Sequence, residues 1–137
     1  MILVVDTNIV FAALLKKSTS RKLLLEPVAN YYAPEHLKKE ILSYKEELRE
    51  RTGLSKEEFE LLFALVTENI VFVKKEKYEM NMTLAENLIG KIDGGDIPFL
   101  ALALTLDTHA IWTENIRHFE KQSLVKVWRT KDVLNFL

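Results

Sequence analysis

With 137 residues, 48% of them hydrophobic and 28% charged, the chain has enough apolar material for one packed domain over residues 1–137. It holds no cysteine, which excludes disulfides, zinc–thiolate sites and thiol catalysis and fits a reducing, cytoplasmic setting. Its net charge of −1 offers no global attraction for nucleic acid, and no apolar run reaches the length of a membrane span or a secretory signal.

Ile2-Leu3-Val4-Val5 is a short apolar run, mostly β-branched, as expected for an interior parallel strand. It stops at Asp6-Thr7-Asn8, a carboxylate, a hydroxyl and an amide in succession. Thr7 or Asn8 is the expected cap of a helix carrying Ile9, Val10, Ala13 and Leu14. Ser18-Thr19-Ser20 opens a second helix that stops near Pro27. Asn30 to Ala33 reads as a second strand. Pro34 begins a long helix, with Leu37, Ile41, Tyr44 and Leu48 as its buried stripe and Gly53 as its end.

Ser55-Lys56-Glu57-Glu58 has the pattern of a capping box, opening a helix with Phe59, Leu62, Phe63 and Val66 on one face. Ile70 to Val73 is a third strand, and residues 80–89 a helix ending at Gly90. Gly94-Gly95 gives a flexible turn before Asp96, which opens a helix from Ile97 to Leu106 that is apolar on almost every side. Pro98 is tolerated in its first turn. Strands are expected at 110–113 and 124–128, and Thr130 caps a closing helix. Strands alternating with helices imply an α/β fold: a three-layer α/β/α sandwich around a central, mostly parallel, five-stranded sheet.

In such a sheet, ligands gather outside the carboxyl ends of the strands. Asp6 ends the first strand, Glu40 lies in the helix after the second, Asp96 opens the buried helix, and Asn115 follows the fourth strand. Thr7, Asn8, Thr113, Glu114 and Asp93 are near them in sequence. At about 100° per residue, Glu40 and Glu47 both flank the buried stripe, but Glu47 is two turns further along and Glu40 alone can reach Asp6. Three carboxylates in one cleft repel, and a hard divalent cation such as Mg²⁺ or Mn²⁺ relieves that repulsion. The combination suits metal-assisted phosphodiester hydrolysis.

His36, His109 and His118 share no metal-ligand spacing and are assigned to the surface, although His118, near the carboxyl end of the fourth strand, could touch phosphate. Lys16, Lys17, Arg21 and Lys22, with Arg117 and Lys121, are basic residues able to follow a phosphate backbone. Phe11, Leu14 and Leu15 exceed what one short amphipathic helix needs.

Three stretches together resemble the PIN-domain family: VVDTNIVFAALL at 4–15, PEHLKKEIL at 34–42 and DGGDIPFLALALTLDTHAIWTENIRHF at 93–119. The resemblance implies a small α/β/α nuclease that cuts single-stranded RNA with Mg²⁺ or Mn²⁺. It further implies homodimerisation and, for many members, a role as the toxin of a toxin–antitoxin pair. Carried over, the acids are Asp6, Glu40 and Asp96, supported by Thr7 or Asn8 and by Thr113. The fourth position departs from the pattern: Asn115 stands where an aspartate is common, with Glu114 and Asp93 as possible supplements. The rival reading is therefore a PIN-like module with weak or no cleavage, serving RNA binding or assembly.

Overall fold

A computed structural model describes residues 1–90 and 94–137. Five parallel strands form the central sheet: β1 (Ile2–Val5), β2 (Asn30–Pro34), β3 (Ile70–Val73), β4 (Ala110–Trp112) and β5 (Val127–Trp128), in the order β3-β2-β1-β4-β5. The two strands with the most fully buried residues, β1 and β4, lie side by side in the interior of the sheet. Leu3, Val4 and Val5 are all sealed from solvent, as a strand covered on both faces requires.

The helices are α1 (Thr7–Leu15), α2 (Thr19–Leu25), α3 (His36–Ser43), α4 (Lys45–Thr52), α5 (Lys56–Thr67), α6 (Met82–Ile89), α7 (Ile97–Leu106), α8 (Ile116–Phe119) and α9 (Thr130–Phe136). Helix α7 lies on β1, β2 and β4, with α6 packed against it, while α1 packs with α2, α3 and α5. The result is an α/β/α sandwich. Every residue of α7 from Ile97 to Ala103 is buried, which accounts for its uniformly apolar sequence. Ser55 and Glu58 exchange the reciprocal bonds of a capping box at the start of α5.

Several boundaries differ from the sequence reading. Asp6, not Thr7 or Asn8, caps α1: its backbone is extended and its side chain accepts the Thr7 N–H. Pro34 ends β2 instead of opening a helix. The long helix expected up to Gly53 is broken at Tyr44, where the Ser43 hydroxyl bonds the Glu40 carbonyl and the Tyr44 N–H tightens onto Ile41. Tyr44 consequently leaves the buried stripe. It is 48% exposed and meets the edge of Phe11.

Met80, expected in a helix, sits in a 3₁₀ turn (Glu79–Asn81) and is 76% exposed. β5 is only two residues long because Gln122 claims the backbone of Val125 in both directions. The closing helix is capped at Arg129, and the Thr130 side chain instead accepts the indole N–H of Trp112. Helix α8 has no counterpart in the sequence reading.

Candidate active site

The strand order reverses direction at β1, which has β2 on one side and β4 on the other. A crevice forms outside the carboxyl ends of strands at such a reversal. Register brings two polar residues together there. Val5 is level with Trp112, so Asp6 and Thr113 leave the sheet side by side, and the Asp6 N–H bonds the Trp112 carbonyl at 2.9 Å.

Asp6 is only 4% exposed, yet its carboxylate is well provided with donors. Oδ1 accepts the Thr7 N–H at 2.9 Å. Oδ2 accepts the Thr113 hydroxyl at 2.7 Å and the Asn8 amide at 2.8 Å. The Thr113 hydroxyl, fully buried, also accepts from Asn8 Nδ2 at 2.8 Å and from the Asn115 N–H at 2.9 Å. One hydroxyl hydrogen and two lone pairs are thereby all used. Asn8 Oδ1 accepts the Glu114 N–H at 3.0 Å. These bonds tie the end of β1 to the loop after β4.

The other two acids come from the flanking layers. Glu40 on α3 accepts the Thr7 hydroxyl at 2.7 Å, and His36, one turn earlier, stands 3.5 Å from the same oxygen. Glu47 is turned to solvent near Arg51, 3.9 Å away. Asp96 makes no side-chain bond to the start of α7. Its Oδ2 meets His118 Nδ1 at 2.9 Å.

Burial pushes the Asp6 carboxyl up to about 6; hydrogen bonds from Thr113 and Thr7 oppose this, and the negative charges of Asp96 and Glu40 raise it further. Both neighbouring acids therefore act on Asp6. Even so, among the described residues no three acidic or histidine side chains are gathered tightly enough to hold a metal ion as they stand. Each carboxylate instead has its own partners, Asp6 in Thr113 and Asn8, Glu40 in Thr7, Asp96 in His118. A desolvated carboxylate with two anionic neighbours and only oxygen donors is a set that fits a hard divalent cation.

The fourth corner is open. Asn115 is exposed, and its side chain makes no bond to the start of α8. Glu114 turns its carboxylate to the Thr130 N–H at 2.7 Å, fastening the β4 loop to α9. Asp93 lies outside the described residues.

The basic residues divide. Arg21 donates from Nε to the Ala13 carbonyl at 2.6 Å and from Nη2 to that of Leu14 at 3.5 Å, closing the carboxyl end of α1. Lys16 and Lys17 stand at that same end. A nine-residue helix separates them from Asp6, roughly 14 Å at 1.5 Å per residue. Arg117 instead lies on α8, beside Asn115. Leu14 is buried, and Phe11 and Leu15 pack partly buried against the core, so α1 uses much of its apolar surface internally.

Two residues that the sequence reading left on the surface belong to the site's surroundings. His36 is four residues before Glu40, a spacing that places both on one helix face. That signal was available in the sequence. The contact of His118 with Asp96 is tertiary, and its only sign in the sequence is the position of His118 near the carboxyl end of the fourth strand.

No curated protein matches the chain. A comparison with family profiles matches the PIN domain over residues 4–135, from within β1 to the last helix. PIN domains are generally metal-dependent nucleases, and the parallel sheet, the sandwich and the acids outside its strand ends agree with that match. The chain belongs to the PIN-domain family.

Proposed function

We propose that this protein is an endoribonuclease that cuts single-stranded RNA with Mg²⁺ or Mn²⁺. We further propose that it is a cytoplasmic homodimer and the toxin of a toxin–antitoxin pair. The observation that carries the nuclease reading is Asp6, buried and charged, in the field of Glu40 and Asp96 at the strand reversal. A phosphodiester is itself anionic and cannot approach three carboxylates without a counter-charge.

Asp6, Glu40 and Asp96 would hold the ion. When bound, it supplies Lewis-acid activation of water and offsets charge at the scissile phosphate. The chain's own contribution is positioning. Thr113 and Asn8 fix Asp6, Thr7 aims Glu40, and His118 orients Asp96. Asn115, neutral and exposed, would adjust the position of the attacking water.

The test is cleavage of a panel of single-stranded RNAs by purified protein, with Mn²⁺ or with EDTA. Cleavage that EDTA abolishes, leaving no 2′,3′-cyclic phosphate ends, is the expected result. Growth arrest on induction, relieved by co-expressing a small neighbouring reading frame, tests the toxin role. Light scattering tests the dimer. One observation favours a second reading, a PIN module that binds RNA without robust cleavage: Asn115 brings no charge where the family pattern has an acid. RNA binding with no EDTA-sensitive cleavage across all substrates selects it.

A further inference from the structure

Next to the acids lies a cavity of about 430 Å³ whose wall includes Asn115, Arg117, His118, Glu120 and Arg129. It adjoins the candidate active site through two residues of its wall. The Asn115 N–H is held by the hydroxyl that holds Asp6, and His118 is bonded to Asp96. Arg117 comes from α8, and Arg129 from the turn between β5 and α9. Neither guanidinium has an ion-pair partner among the described residues, although carboxylates stand in the same wall. One of those, Glu114, is engaged by the Thr130 N–H.

Charged groups that line one cavity without pairing are free to meet a ligand, and two guanidiniums match the oxygens of a phosphate. The volume suits a ligand of nucleotide size and not a duplex. We infer that this cavity is a nucleotide subsite: Arg117 and Arg129 grip the phosphate next to the one that is cut, and Asn115 and Glu120 face its ribose or base. The inference rests on the nuclease reading for the identity of the strand, and it adds Arg129, which no motif marks.

Binding of a fluorescent, mixed-sequence, single-stranded oligoribonucleotide to the full chain in EDTA is the direct test, with Mn²⁺-dependent cleavage measured in parallel. Arg117→Ala with Arg129→Ala should weaken binding roughly tenfold at low salt and reduce the salt slope by about 1 per arginine. KM should rise by the same factor with kcat within a few-fold. Arg129→Gln alone should give about half of each logarithmic effect, and Arg129→Lys should recover part of the loss. A charge-matched control outside the cavity, Arg51→Ala with Lys56→Ala, should stay within about twofold.

Four outcomes separate the two readings. If wild type cuts RNA and the arginine variants match the control, the subsite is wrong and the nuclease reading stands. If wild type binds through the arginines but does not cut, the subsite stands and the cleavage reading falls. If it neither binds nor cuts, both fall. If it cuts, and the arginine variants lose affinity and salt slope beyond the control, both hold.

Discussion

The two sides of the strand reversal are built on opposite principles. On the β1 side, Asp6 is buried, its two oxygens are occupied, and every bond to it comes from a residue fixed by the sheet or by the first turn of α1. On the β4–α8 side, Asn115, Arg117 and His118 are exposed and line an open cavity. The buried side carries the electrostatic cost, and the open side carries the freedom to accommodate a ligand. A site divided in this way separates holding a charge from recognising a substrate.

The strongest way to break that contrast is to remove charge on the buried side. Asp6→Asn and Asp96→Asn should each lower cleavage by on the order of 10³-fold or more while circular dichroism stays unchanged. Metal-dependent activity persisting in both variants would sink the assignment of these acids.

Next comes the cost of burying Asp6. Its carboxyl titrates near 6 in the folded chain against 3.8 unperturbed, so between those values the folded state keeps a proton that the unfolded state has released. Stability in EDTA should therefore fall as pH rises through this window, and the cost should be complete above pH 6. Denaturant titrations of wild type and Asp6→Asn should converge or cross accordingly. Relative to the variant, wild type should lose roughly 2–3 kcal/mol between pH 3.8 and pH 7. A difference that does not change with pH would remove Asp6 as the source.

Thr113→Val keeps the shape and deletes the shared hydroxyl. It should cost about 1–3 kcal/mol, because the buried Asp6 and the Asn115 N–H each lose a partner. It should also cost roughly 10- to 100-fold in Mn²⁺ affinity or activity, by loosening the residue that holds Asp6. Calorimetry and Mn²⁺ titration would show whether stability and affinity fall together.

The smallest effect belongs to the open side. Asn115→Asp should leave stability within about 0.5 kcal/mol, since the side chain is exposed, and should raise activity a few-fold at limiting Mn²⁺. An unchanged Mn²⁺ dependence would show that this corner takes no part in ion binding.

Much of this arrangement was legible because strong local signals agreed with the fold. The run before Asp6, the capping box at Ser55 and the all-apolar α7 each had a single physical solution, and Glu47, on the same flank as Glu40, lay two turns too far along the helix to reach Asp6. What escaped the reading was decided between elements. Tyr44 has helical spacing from Ile41, but the Ser43 hydroxyl competes for the helix backbone. Leu124 and Val125 look like strand residues, yet Gln122 takes the hydrogen bonds a ladder would need. Glu114 sits among site residues in sequence and faces α9 in space. Arg21 reads as a phosphate-binding residue and instead satisfies helix carbonyls, a use that composition cannot separate from the other.

The all-parallel sheet has a consequence in time. Parallel neighbours need long crossovers, and the bond between Thr113 and Asp6 spans 107 residues of sequence. At translation rates of about 5–20 residues per second, Asp6 emerges several seconds to roughly twenty seconds before the strand that completes its surroundings. A growing chain that already displays Asp6 and Glu40 still lacks Asp96, Thr113 and the whole β4 side. The finished centre therefore exists only once β4 and the loop after it have been made, and a product truncated before them carries its first two acids without the partners that hold them in place.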